Sequence, residues 1–157
     1  MVTTAASVLQ ELREVRDPEI PALDVVEMGI VRAVEIDDRG GVEVVVTPTY
    51  SGCPAMRMIE EDVVACLQRN GHANVSVRAV LSPPWTTDAL DENARGKLRD
   101  FGIDPPPRRC AAAVRSAQCP RCGAESDDRV SEFGSTPCKS LWRCRECGEP
   151  FELFKPL

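Results

Sequence analysis

Histidine is almost absent from this 157-residue chain: His72 is the only one. It follows Asn70-Gly71, a turn signal, and reads as a solvated loop residue. No imidazole therefore stands out as the base of a cysteine hydrolase. The paired Glu-x-x-His motifs of a ferritin-like di-iron bundle, which need two histidines, are excluded as well. Aromatic side chains make up only 4% of the chain, so its core must rest on Val, Ile, Leu, Ala and Met. A basic excess is also missing. Nineteen Lys and Arg stand against 25 Asp and Glu, a net charge of −6, which argues against nucleic-acid binding. No apolar run approaches the roughly 18–20 residues of a membrane-spanning helix, so no membrane association is expected. The opening Met1-Val-Thr-Thr-Ala-Ala lacks a basic region and an apolar core, which predicts a cytoplasmic protein without a secretory signal. Its eight cysteines then read as thiols or metal ligands, not as a disulfide framework.

With 43% hydrophobic and 28% charged residues, the composition is that of a globular protein. Charge divides the chain: residues 1–102 carry a net −7, residues 103–117 a net +2, and residues 118–157 a net −1. The middle stretch contains Asp104-Pro105-Pro106-Pro107-Arg108-Arg109, which predicts a stiff extended linker. In the first segment, Val8, Leu9, Leu12 and Val15 form a helical stripe that Asp17-Pro18 ends. Residues 30–36 and 42–49 read as a β-hairpin around Asp37-Asp38-Arg39-Gly40-Gly41. Met56, Ile59, Val63 and Leu67 give a second helix, and Val75, Val77 and Ala79 a third strand. A last helix through Leu90, Ala94 and Leu98 would be capped by Thr87 or Asp88. The expected fold is α+β, with order α-β-β-α-β-α over residues 1–102, followed by a small tail over 118–157.

That tail holds the clearest chemical signal. Cys119-Pro120-Arg121-Cys122-Gly123 and Cys144-Arg145-Glu146-Cys147-Gly148 are two Cys-x-x-Cys-Gly knuckles with 21 residues between them. Two residues between thiols let both sulfurs of a tight turn face one ion, and two such turns complete a tetrahedron. About 40 residues bury too little apolar surface to fold unaided, so a bound metal would supply folding free energy. Zinc is the expected ion; four thiolates also suit a single iron or an iron–sulfur cluster. The site is closed and reads as structural or docking, with no catalytic residue assigned. Cys138, beside Lys139, reads either as a small loop residue near the metal or as an auxiliary thiol.

In the first segment the sequence Thr47-Pro48-Thr49-Tyr50-Ser51-Gly52-Cys53-Pro54 stands out. With Pro54 at the first helical position, Cys53 becomes the N-cap, where unpaired amides and the helix dipole would favour thiolate. Thr49 and Ser51 could hydrogen-bond the sulfur. An inert, partly buried thiol fits the spacing equally well. Cys66 reads as core packing and Cys110 as an incidental thiol. Asp17-Pro18-Glu19 places two carboxylates around a bend, either as helix termination or as site residues, with Asp24 a third candidate. Trp85 reads either as simple core packing or as a hydrophobic anchor.

Four motifs, Asp17-Pro18-Glu19-Ile20-Pro21, Met28-Gly29-Ile30-Val31, Thr47 to Pro54, and Ser82-Pro83-Pro84-Trp85-Thr86-Thr87-Asp88, resemble the iron–sulfur assembly domain of SufT-like proteins. Phe133-Gly134-Ser135-Thr136-Pro137-Cys138-Lys139, the second knuckle and Glu149-Pro150-Phe151 narrow the likeness. Together they resemble the D-type accessory (PaaD) family of the bacterial phenylacetyl-CoA epoxidase system. The resemblance spans nearly the whole chain. It implies a maturation factor that supports iron or iron–sulfur assembly, with the other epoxidase subunits as partners and no activity of its own. It further implies a functional patch of Asp17, Glu19 and Cys53 and a four-cysteine zinc ribbon at Cys119, Cys122, Cys144 and Cys147. The alternative is a stoichiometric, non-catalytic subunit of the oxygenase complex.

Overall fold

A computed structural model describes residues 3–107 and 114–156, which form two compact units, Met1–Trp85 and Thr86–Leu157. Helix α1 (Ala5–Leu12) opens the first unit. The Thr4 hydroxyl accepts from the Ser7 amide and the Ser7 hydroxyl from the Thr4 amide, both at 3.1 Å, so two otherwise orphaned donors are satisfied. Strands β1 (Val31–Ile36) and β2 (Val42–Val46) form the expected antiparallel hairpin, with Ile36 opposite Val42. Asp37 Oδ1 fixes the turn by accepting from the Arg39 and Gly41 amides at 2.8 Å. Helix α2 (Met56–Arg69) crosses over to β3 (Val75–Ala79), which pairs parallel to β2.

Ile59, Val63, Cys66 and Leu67 put one face of α2 into the core, which also buries Val42, Val44 and Val46 of β2. Among the described residues, Trp85 is the one aromatic in this core; it is buried and donates its indole N–H to the Met28 carbonyl at 2.7 Å. Cys66 packs as expected. His72 does not sit in solvent: its Nε2 lies 2.7 Å from a Glu11 carboxylate oxygen and ties the end of α2 to α1.

The second unit begins earlier than the charge pattern suggests. A 3-10 turn (Thr87–Ala89) leads to α3 (Glu92–Asp100), capped by Asp91, whose carboxylate accepts from the Ala94 amide at 2.7 Å. Thr87 and Asp88 are spent in the 3-10 turn, and the extended Leu90 separates them from the helix they were expected to cap. Strand β4 (Ile103–Asp104) pairs parallel with β9 (Pro150–Phe154), so the start of the expected linker joins the tail's sheet, and the last helix lies in the same compact unit. Pro105 and Pro106 are buried. Arg95, only 3% exposed, donates to the carbonyls of Leu90 and Thr87 at 3.2 Å and to that of Pro106. Proline lacks an amide donor but keeps its carbonyl acceptor, and here a buried guanidinium uses it. Arg108, Arg109 and Cys110 lie outside the described residues.

Strands β5 (Ala117–Gln118) and β6 (Glu125–Ser126) pair around the first knuckle. Strands β7 (Arg129–Ser131) and β8 (Lys139–Arg143) complete a four-stranded sheet of order β4-β9-β8-β7. The α+β class with a small β tail is as expected.

Candidate metal centre and the Cys53 loop

Each knuckle is built by the same backbone bonds. Cys119 donates its amide to Ala124 O at 2.8 Å, and Cys144 to Glu149 O at 2.9 Å. Gly123 and Gly148 return their amides to the Cys119 and Cys144 carbonyls, at φ of 77° and 76°, which a side chain would resist. The four ligand atoms of Cys119, Cys122, Cys144 and Cys147 lie within 4.8 Å of one another. Sulfur separations are 3.8 Å for Cys119–Cys147 and 3.5 Å for Cys122–Cys144. A tetrahedron of metal–sulfur bonds of about 2.3 Å requires about 3.8 Å between sulfurs, so the donor set fits one ion.

Cys119 and Cys144 are buried with Ala117, Trp142, Phe151 and Leu153, whereas Cys122 and Cys147 are exposed. Of the tail's aromatics, Trp142, Phe151 and Phe154 serve the core, and Phe133 is exposed beneath Lys155. The Cys147 amide, ahead of the Cys122 thiol and the Glu146 amide, brings the Cys144 thiol down to about 7 against the effect of burial.

In the first unit, Asp17 is 5% exposed, and its carboxylate accepts from the amides of Glu19 and Ile20, both at 2.8 Å. It therefore builds the bend that carries Glu19. Asp24 caps its own turn through the Val26 and Glu27 amides and lies 3.8 Å from Arg13. The half-buried Cys53 feels the charges of both Glu19 and Asp17, although more than 30 residues of chain separate it from that bend.

Two local expectations change. The N-cap of α2 is Ala55, and Pro54 precedes the helix. The Cys53 thiol is pushed up, not down. Burial is the largest cause, joined by the charges of Glu19 and Asp17, and the Ala55 amide and Thr49 hydroxyl oppose them incompletely. A hydroxyl-rich cavity of about 120 Å³, lined by Thr47, Thr49, Tyr50, Ser51, Leu81 and Trp85 among others, adjoins this loop.

Comparison with known proteins accounts for both units. Over 146 residues the chain is 43% identical to the D component of the putative 1,2-phenylacetyl-CoA epoxidase of Escherichia coli K12, covering 92% of this chain and 88% of that one. The chain belongs to the PaaD family. The PaaD zinc β-ribbon domain matches residues 104–155, and the iron–sulfur cluster assembly protein family matches residues 5–78. The Fe–S protein maturation auxiliary factor of Porphyromonas gingivalis is 34% identical over 60% of this chain and 90% of its own. A solved DUF59 domain of unknown function from Bacillus anthracis shares the first unit's fold, with a TM-score of 0.57 and 29% identity over 60% of this chain and 90% of that chain. No helix among the described residues is long and apolar enough to cross a membrane.

In this PaaD-family chain Cys138 is buried, with its sulfur 3.0 Å from the Thr136 hydroxyl and outside the four-thiol group. Its neighbour Lys139 pairs at 3.1 Å with Glu152, which also accepts from Ser135. Two features of the centre escaped sequence reasoning. Asp104 accepts from the Gln118 amide at 2.7 Å, just before Cys119, and Arg121 pairs with Glu149 across the knuckles. Asp104 looked like part of a linker, and opposite charges 28 residues apart carry no local pattern.

Proposed function

We propose that this protein is the accessory maturation factor of a phenylacetyl-CoA epoxidase system in aerobic phenylacetate degradation, assisting assembly of an iron or iron–sulfur centre. The observation that carries this reading is the union, in one chain, of an iron–sulfur assembly domain and a PaaD ribbon, at 43% identity to an epoxidase D component over 92% of the chain. Cys53 is the functional thiol, receiving iron or a cluster transiently or contacting the client, with Glu19 beside it and Asp17 holding the bend. The four-thiol centre holds zinc and docks the factor to the other epoxidase subunits. The closed donor set, with four protein ligands and no open position, supports a structural role for that ion. A single histidine leaves the chain without a di-iron signature, so oxygen chemistry belongs to the partners.

The test is complementation. In a strain lacking this gene, the wild-type chain should restore epoxidase activity and Cys53→Ala should not. Full restoration by Cys53→Ala would remove the thiol from the function.

The epoxidase name of its E. coli relative favours a second reading, a stoichiometric non-catalytic component of the complex. Under that reading an assembled epoxidase loses activity when this chain is stripped away. A maturation factor predicts that activity survives.

A further inference from the structure

The two knuckles share a backbone frame but differ in the charge around them. Arg121 stands between the thiols of the first knuckle, and its guanidinium reaches the carboxylate of Glu149, the residue after Gly148 in the second. The pair therefore spans the two turns that carry Cys119, Cys122, Cys144 and Cys147. In the second knuckle Arg145 is turned to Asp127 at 2.8 Å and takes no such place.

Four thiolates around a divalent ion carry a net charge of about −2, by the chemistry of the ligands. Against Cys119 and Cys144 the protein packs Trp142, Phe151 and Leu153, which offer that charge nothing. Exposure of Cys122 and Cys147 leaves the other side open to water and competing chelators. We propose that Arg121 is a positioning residue of the four-thiol centre: held in place by Glu149, its cation offsets thiolate charge on the solvent side and slows loss of the ion. An exposed ion pair contributes little to stability by itself. What matters here is where the pair keeps a positive charge, as outer partners of metal ligands commonly tune affinity.

This inference rests on the reading of the four thiols as a metal site, and one experiment separates the two. Full-length wild-type protein is loaded with zinc, and zinc release to a chromogenic chelator is timed at low salt and at about 0.5 M salt. Failure of the wild type to hold zinc overturns the metal reading. With zinc bound, Arg121→Gln should release it roughly five- to tenfold faster at low salt, and the gap should close at high salt. Arg121→Lys should keep most of the wild-type retention. Glu149→Gln should lie between the two, and serves as the reporter if Arg121→Gln does not fold. Wild-type release from Arg121→Gln, or a gap that persists undiminished at high salt, would overturn the proposal, the latter by making the effect one of packing and not of charge.

Discussion

The sulfurs of Cys119 and Cys147 meet at 3.8 Å although 28 residues separate them in the chain. Nothing but the closing of two distant turns onto one point brings them together. Thiols at that spacing without an ion would repel as they ionise, so the ribbon's fold and its metal are one equilibrium. Cys119→Ala should therefore abolish stoichiometric zinc and with it the cooperative unfolding transition reported by Trp142 fluorescence. Elemental analysis alongside the melt checks both, and the transition of residues 1–85 should persist.

Cys53 is held as a thiol, and its reactivity should show it. Alkylation of Cys53, followed by peptide mass spectrometry on zinc-loaded protein, should rise with pH to a midpoint above the ordinary cysteine value. Glu19→Gln removes a charge that opposes thiolate formation, so its midpoint should fall. A rise, or no movement, would mean that the carboxylate does not act on the sulfur.

Asp17→Asn tests the bend itself. The carboxylate accepts two amides while buried, and hydrogen bonds to charged groups contribute about 1.5–3 kcal/mol each. Because the amide oxygen of Asn can still accept, the loss should be about 1–2 kcal/mol, measured by urea denaturation. Asp17→Ala, which leaves both amides unpaired, should cost more.

Burial drives the Asp104 carboxyl up to about 6 in the folded protein, against an ordinary value of 3.8, with the Gln118 amide and Arg99 opposing incompletely. The sign follows from linkage. A raised folded value favours the fold while the group stays protonated there, so this contribution is present below pH 4 and is lost as pH rises through 6. Asp104→Asn cannot ionise, and its amide oxygen can still accept from Gln118. Its melting temperature relative to wild type should therefore climb between pH 4 and pH 7 and then level off. A constant difference across that range would show that Asp104 titrates normally.

Arg95→Met should be among the most damaging single changes in residues 86–157. It removes one buried cation and leaves the Thr87, Leu90 and Pro106 carbonyls without that donor, an effect of about 3 kcal/mol or more. Thermal denaturation measures the loss, and limited proteolysis should then reach the Pro105-Pro106 segment.

Much of this was legible beforehand because it was local. Val8 and Leu12 sit four residues apart on a helix, Val42 to Val46 form a β-branched run, and Asp37 to Gly41 is a turn in any context. The knuckles were equally plain, since Cys-x-x-Cys-Gly encodes its own tight turn. The Cys53 cap was misjudged by two residues, because Pro54 at a first helical position and Pro54 just before one look alike in sequence. Its acidity was misjudged for a different reason: a helix start is a local feature, whereas burial and the approach of Glu19 are not.

The sequence by itself determined the period of each element, the two metal-binding turns and a chemistry of thiols without imidazole partners. It could do so because backbone propensity and ligand spacing act over a few residues. Only the tertiary structure decided that Pro105 and Pro106 are packed rather than free and that α3 belongs with the ribbon. It also decided that Asp17 and Glu19 raise the thiol they approach, and that Arg121 pairs with Glu149 across the two knuckles. Those outcomes depend on desolvation and on charges brought together from distant positions, and neither is written in any short stretch of chain.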